Sequence, residues 1–110
     1  IAHSNLSALL IDLCKLEDAE VSIRKAIELN PNFVDAYSNL GTILKDLGKL
    51  EDAEVSTRKA IELNPNFADA YYNLGSILRN IGKLEEARKC SEKIMSIRSW
   101  SILGSYSFNH

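Results

Sequence analysis

The sequence predicts an all-α fold, an α-solenoid of three stacked helix-turn-helix units, and three observations carry that expectation. A segment of 34 residues recurs along the chain, the apolar residues within it fall at helical steps, and glycine or proline punctuates it at fixed places. The recurrence is nearly verbatim. LCKLEDAEVSIRKAIELNPNF ends at Phe33 and LGKLEDAEVSTRKAIELNPNF ends at Phe67, so Pro31 and Pro65, or Ala19, Ala53 and Ala87, stand 34 positions apart. A unit of this length cannot bury its own apolar side and has to stack on its neighbours.

The units divide the chain into residues 1–33, 34–67 and 68–98, followed by a tail, 99–110. In the second unit Tyr37, Leu40, Ile43, Leu44 and Leu47 recur at steps of three and four, as do Tyr71, Leu74, Ile77, Leu78 and Ile81 in the third. That is the period of one face of a helix. Gly48 and Gly82 then end these first helices, because glycine accepts the left-handed backbone that a helix C-terminus favours. The second helices of the first two units carry small Ala19 and Ala26, or Ala53 and Ala60, suited to a close helix crossing, and stop before Asn-Pro, whereas the third has Ile94 in place of the second alanine. The expected helices are therefore 2–13, 17–29, 35–47, 51–63, 69–81 and 85–97.

Two units depart from the pattern. The first has His3 for Tyr37, Ser7 for Gly41 and Cys14 for Gly48, so its turn is expected at a modest cost relative to glycine. With no unit before it, its leading side is expected to fray or to touch another chain. The third has Ser99 where proline would stand, and Trp100 opens a tail with no fourth unit in it. Two readings of 99–110 stand side by side. A short capping helix around 99–105 would lay Trp100, Leu103 and Tyr106 on the end of the stack; otherwise the tail begins a further segment, its aromatics loose or docked on a neighbour, and in either case its last few residues are expected to be disordered.

The pattern Tyr-x-x-Leu-Gly, Gly-Lys-Leu-x-x-Ala, Lys-Ala-Ile-Glu-Leu-Asn-Pro resembles the tetratricopeptide repeat over residues 1 to about 98. The resemblance implies a right-handed superhelix whose first helices line a concave face. It also implies a protein-binding scaffold without catalysis.

Composition narrows the function further. With 13 Lys and Arg against 15 Asp and Glu, the net charge of −2 provides no basic field for nucleic acid. No apolar run approaches the ~20 residues of a membrane helix, and no secretory pattern opens the chain. Cys14 and Cys90 fall at unrelated points of the repeat, so two free thiols in a reducing, cytoplasmic setting are expected rather than a disulfide. The chain opens on Ile1 and its one methionine is Met95, so it is expected to be a piece of a longer protein.

No residue pattern supports catalysis, a metal or a cofactor. His3 and His110 lie near opposite ends with no patterned nucleophile, and Gly41 and Gly75 are single glycines rather than a phosphate loop. The acidic residues of the second helices pair with basic ones four positions away, an arrangement of solvated surfaces.

The candidate binding residues lie on the first helices. Asn5, Asn39 and Asn73 occupy one place in all three units. Asparagine is a weak mid-helix residue, and its amide offers both a donor and an acceptor to a peptide backbone. The sequence also resembles the superhelical arm of O-linked N-acetylglucosamine transferase, and by that resemblance these three would be backbone clamps. A bond between neighbouring helices is the competing role for the same amides. Around them Asp35, Ser38, Thr42, Lys45 and Asp46 of the second unit correspond to Asp69, Tyr72, Ser76, Arg79 and Asn80 of the third. Tyr72 and Arg79 are the expected anchors, since aromatics and arginine dominate binding hot spots.

The expected function is thus a scaffold holding a protein or peptide in the groove. The alternatives are a spacer that self-associates through its exposed ends, or the substrate-presenting arm of a larger enzyme such as a glycosyltransferase.

Overall fold

The computed structural model describes the backbone of residues 2–108 and the side chains of residues 11–99. Five helices follow one another: α1 (Ala2–Leu29), α2 (Val34–Asp46), α3 (Leu50–Leu63), α4 (Ala68–Ile81) and α5 (Leu84–Phe108), with no strand among the described residues. The architecture is an α-solenoid, in which α2 folds back on α3 and α4 on α5, and the two hairpins stack through α3 against α4.

The turns form as the glycines predict. Gly48 and Gly82 adopt φ of 83° and 102°. Each lets its own amide and the next one turn back onto the helix: Gly48 N–H donates to the Lys45 carbonyl and Lys49 N–H to that of Leu44, at 2.9 and 2.8 Å. At the other end of the hairpin, Asn64 leaves the helix in extended conformation (φ −141°) because Pro65 disfavours the helical region for it. Its side chain then accepts a bond from Asn66 N–H at 3.2 Å, which shapes the loop, and Asn30 does the same for Asn32.

The first unit departs from the expected pair of helices at 2–13 and 17–29. It is one uninterrupted helix of 28 residues. The cause lies at position 14, where the glycine of the other units is replaced by cysteine. A Cβ makes the left-handed turn costly by roughly 1–2 kcal/mol, and among the described residues no side-chain-bearing residue has a positive φ. The helix therefore continues through Cys14, and only the later part of α1 acts as a second helix. There Ile23 and Ile27 pack against the cluster of Leu40, Leu44, Ala53 and Ile77.

The end of the third unit also differs from expectation. Instead of stopping near 97 and giving way to a separate cap, α5 runs on to Phe108. Ser99 stands where Pro65 ends α3, so nothing bars residue 98 from helical dihedrals. The side chains of Trp100, Leu103 and Tyr106 lie outside the described residues.

The core sits between helices as two clusters, the one above and a second of Leu74, Leu78, Ala87 and Cys90 with Ile61 against it. Small residues set the spacing. Ala53 and Ala60 are fully buried on α3, and a Cβ built on Gly41 would overlap the Thr57 hydroxyl. That buried hydroxyl is satisfied by donating to the Ala53 carbonyl at 2.8 Å.

On the surface an ion pattern links successive units. Glu20 accepts from Arg24 at 2.9 Å and from Lys49 at 3.1 Å; Glu54 repeats this with Arg58 at 2.9 Å and Lys83 at 3.4 Å. The third unit reverses the signs. Arg88 stands at the place of Glu20 and Glu54, and it pairs with Glu92 at 2.7 Å and Glu85 at 2.9 Å.

Candidate partner-binding groove

Alternate helices bring the candidate residues together. The first helices α2 and α4 lie side by side, and between them opens a cleft of about 450 Å³ lined by Asp35, Ser38, Asn39, Phe67, Asp69, Tyr72 and Asn73. Asp35 and Asp69 sit in the first turns of their helices, where a carboxylate favours the positive end of the helix dipole. Tyr72 projects from α4 and is 65% exposed. The lining holds two carboxylates and no cation.

The two asparagines of the cleft differ in their surroundings. Asn73 is half-buried, and its amide donates to the Ser38 hydroxyl of α2 at 3.2 Å. It therefore ties two first helices together, the structural alternative raised for this position. Its carbonyl oxygen and second N–H remain for another partner. Asn39 is exposed and has no side-chain partner among the described residues. The serine that would correspond to Ser38 one unit earlier is Ser4, which, like Asn5, lies outside the described side chains.

The remaining candidates fall beyond the cleft. Lys45 donates to Ser76 of α4 at 3.3 Å, a second bridge between first helices, and Thr42 back-bonds to the Ser38 carbonyl within α2. Asp46 and Arg79 are exposed nearer the C-terminal ends of their helices and do not line it. Ser38, expected on the recognition surface because it differs between units, is instead 4% exposed and serves as the acceptor for Asn73. Phe67 was not singled out from the sequence. Its recurrence as Phe33 after Asn-Pro-Asn was the available signal, since a residue just ahead of a first helix forms the rim between units.

A second cleft, of about 460 Å³, opens among α3, α4 and α5 with Ile61, Tyr71, Leu74, Leu78 and Cys90 beneath a charged rim. Burial pushes the Cys90 thiol above its ordinary pKa, the opposite of what a nucleophile needs. Cys14, by contrast, is exposed, and both thiols are free. Among the described residues no group of three His, Cys, Asp or Glu is placed to hold a metal, and no helix is long and apolar enough to cross a membrane.

Comparison with known proteins bears on the same geometry. Three models described as tetratricopeptide repeat match residues 2–33, 34–67 and 57–89. No curated protein matches the sequence. Among solved structures, a crystal structure of MamA superposes with a TM-score of 0.77 at 28% identity, covering 86% of this chain and 54% of that one. A second MamA structure gives 0.73 at 28% identity, covering 83% and 49%. The chain thus spans about half the length of the MamA chains it matches. The first TPR of Spaghetti (RPAP3), bound to the HSP90 peptide SRMEEVD, superposes at 0.74 with 24% identity, covering 84% of this chain and 74% of that one, a likeness of fold alone.

Proposed function

The chain belongs to the tetratricopeptide repeat family, and from that premise we propose that it is a non-catalytic scaffold that holds an extended segment of a partner protein in the cleft between α2 and α4. The observation that carries this reading is the cleft itself. It is concave, it is lined by amides and carboxylates rather than by a packed apolar core, and it presents one exposed aromatic, Tyr72, at its edge. Asn39 offers both halves of an amide to a peptide backbone, and Tyr72 offers a ring for a side chain to cover.

The charge of the lining selects among peptides. Asp35 and Asp69 repel a terminal carboxylate and favour a neutral or cationic segment, so a lysine or arginine side chain seated between them is the expected contact. The solved Spaghetti complex holds an acidic peptide in a chain of the same fold; recognition here is expected to differ because the fold sets the groove and the lining sets the ligand.

The test is selection from a random peptide library on the immobilised chain, followed by affinity measurement by fluorescence anisotropy for wild type, Tyr72→Ala and Asn39→Ala. Removal of a hot-spot aromatic typically costs 2 kcal/mol or more, about thirtyfold in Kd. Selected peptides that carry cations and weaken by that factor with Tyr72→Ala support the reading. Peptides that bind both variants as tightly as wild type exclude the cleft. Asn73 is unsuited to this comparison, since its loss also breaks the bond to Ser38.

A further inference from the structure

The cleft among α3, α4 and α5 shares no residue with the one between α2 and α4. At about 460 Å³ it falls within the roughly 300–1,000 Å³ of small-molecule sites. Ile61 and Tyr71 are half-buried in its wall, backed by Leu74, Leu78 and Cys90 at 3%, 0% and 7% exposure. The packed core, rather than a loop, therefore holds this wall in shape.

The repeat supplies its own reference, because the joint between the first and second units is built from nearly the same residues. Thirty-four positions earlier, six of the nine lining residues are the same, and Asp52 keeps the acid of Glu86. The two that differ change the cleft in complementary ways. Cys90 stands where the earlier unit has Ser56, which makes the inner wall more apolar. Lys89 stands where it has Val55, which adds a cation to the rim. A third difference is one of bonding. Tyr37 donates its hydroxyl to the Pro31 carbonyl at 2.9 Å, whereas the Tyr71 hydroxyl has no partner among the described residues and is not fully buried.

Most of the rim charges are already matched. Arg58 pairs with Glu54 at 2.9 Å and lies 4.0 Å from Glu86, and Glu62 lies 3.8 Å from Lys59. Lys89 is the one charged lining residue without an ion pair among the described residues. An apolar wall beside two free donors, an ammonium and a phenol, suits an apolar body that carries one negative group. We propose that this cleft binds a small amphipathic carboxylate. Its apolar body lies against Ile61, Tyr71 and Cys90, and its carboxylate accepts bonds from Lys89 and the Tyr71 hydroxyl. Because the two clefts have no residue in common, failure of this reading leaves the peptide reading standing, and the reverse.

The test titrates the whole chain with 2-naphthoate and with its neutral counterpart 2-naphthamide, following backbone amide shifts by NMR. Saturable shifts are expected around Ile61, Tyr71 and Cys90, with the acid bound about fivefold more tightly than the amide, the upper range for an exposed ion pair. Lys89→Val installs the residue of the preceding unit, and it should weaken the acid by about the same factor while leaving the amide unchanged. No shift at millimolar 2-naphthoate overturns the proposal, as do shifts that map to the α2–α4 cleft. An amide bound as tightly as the acid overturns it too, and so does an affinity for the acid that Lys89→Val leaves unchanged. Circular dichroism checks that Lys89→Val folds; should it not, Lys89→Gln takes its place in the same titration.

Discussion

Gly41 and Gly75 occupy the same place in successive repeats, yet alanine at the two sites is expected to act in opposite directions. Both lie inside helices, where alanine is favoured over glycine by roughly 1 kcal/mol. At Gly75 a Cβ would meet Cys90 Cβ at 3.5 Å and the Ala87 carbonyl at 3.7 Å, ordinary contact, so Gly75→Ala should keep the whole gain. At Gly41 it would overlap the Thr57 hydroxyl and stand 3.3 Å from the Ala53 carbonyl. Thr57 is fully buried and already bonded to that carbonyl, so it cannot swing away freely. Overpacking costs about 1–3 kcal/mol and a lost buried hydrogen bond about 1 kcal/mol more. Set against the helical gain, Gly41→Ala should lose about 1–3 kcal/mol, and each kcal/mol moves Tm by roughly 4–8 °C in a chain of this size. Thermal unfolding followed by circular dichroism at fixed protein concentration separates the two. Thr57→Ala in the Gly41→Ala background should recover part of the loss, because Thr57 Cβ and the Ala53 carbonyl still crowd the new methyl at 3.3 Å. If Gly41→Ala and Gly75→Ala shift Tm in the same direction, the close crossing of α2 and α3 is not what fixes glycine at position 41.

Gly82→Ala should destabilise for a different reason: nothing lies within 4 Å of its Cβ, but φ of 102° is disfavoured for alanine, and a loss of roughly 1 kcal/mol should appear in the same melts. Acid should weaken the fold through Glu20 and Glu54, whose carboxyls are held below their ordinary pKa by bonds from Arg24 and Lys49 and from Arg58 and Lys83 respectively. A depressed folded pKa stabilises above the unfolded value and the benefit vanishes as pH falls through the folded one. The melting temperature should therefore drop below about pH 4.5, and Glu54→Gln should flatten part of that acid limb. Cys90, 7% exposed with its thiol pKa raised, should react with a maleimide far more slowly in the folded chain than after urea denaturation, as timed mass spectrometry would show.

The helical repeat was legible because its information is local: apolar steps, a glycine at the turn and a proline at the stop each act within a few residues. The departures were legible too, but their outcome was not. Cys14 and Ser99 were visible as substitutions at the punctuating positions, and a turn was still expected at the first and an end at the second. Both expectations gave the repeat pattern more weight than the single residue that executes it. At the groove, recurrence brought Asp35, Asn39, Asp69, Tyr72 and Asn73 to one cleft. It could not say which of them were already engaged. Ser38 and Asn73 lie 35 residues apart, and their bond exists only because α2 and α4 come to lie side by side. Variation between units is likewise ambiguous, since it brought Ser38 forward as a surface residue when packing buries it.

The reversed charges at Arg88 bear on how such chains could polymerise. Lys49 and Lys83 each reach back to a glutamate of the unit before them, and Lys15 stands at the same place in the first unit. Were another molecule to stack on α5 in the register of the repeat, its Lys15 would arrive beside Arg88 rather than a glutamate. Like charges there oppose head-to-tail addition, the one mode of association that has no natural end and draws out into fibres. The Lys–Glu pair repeats at joints one-two and two-three, and a joint three-one would lack its glutamate.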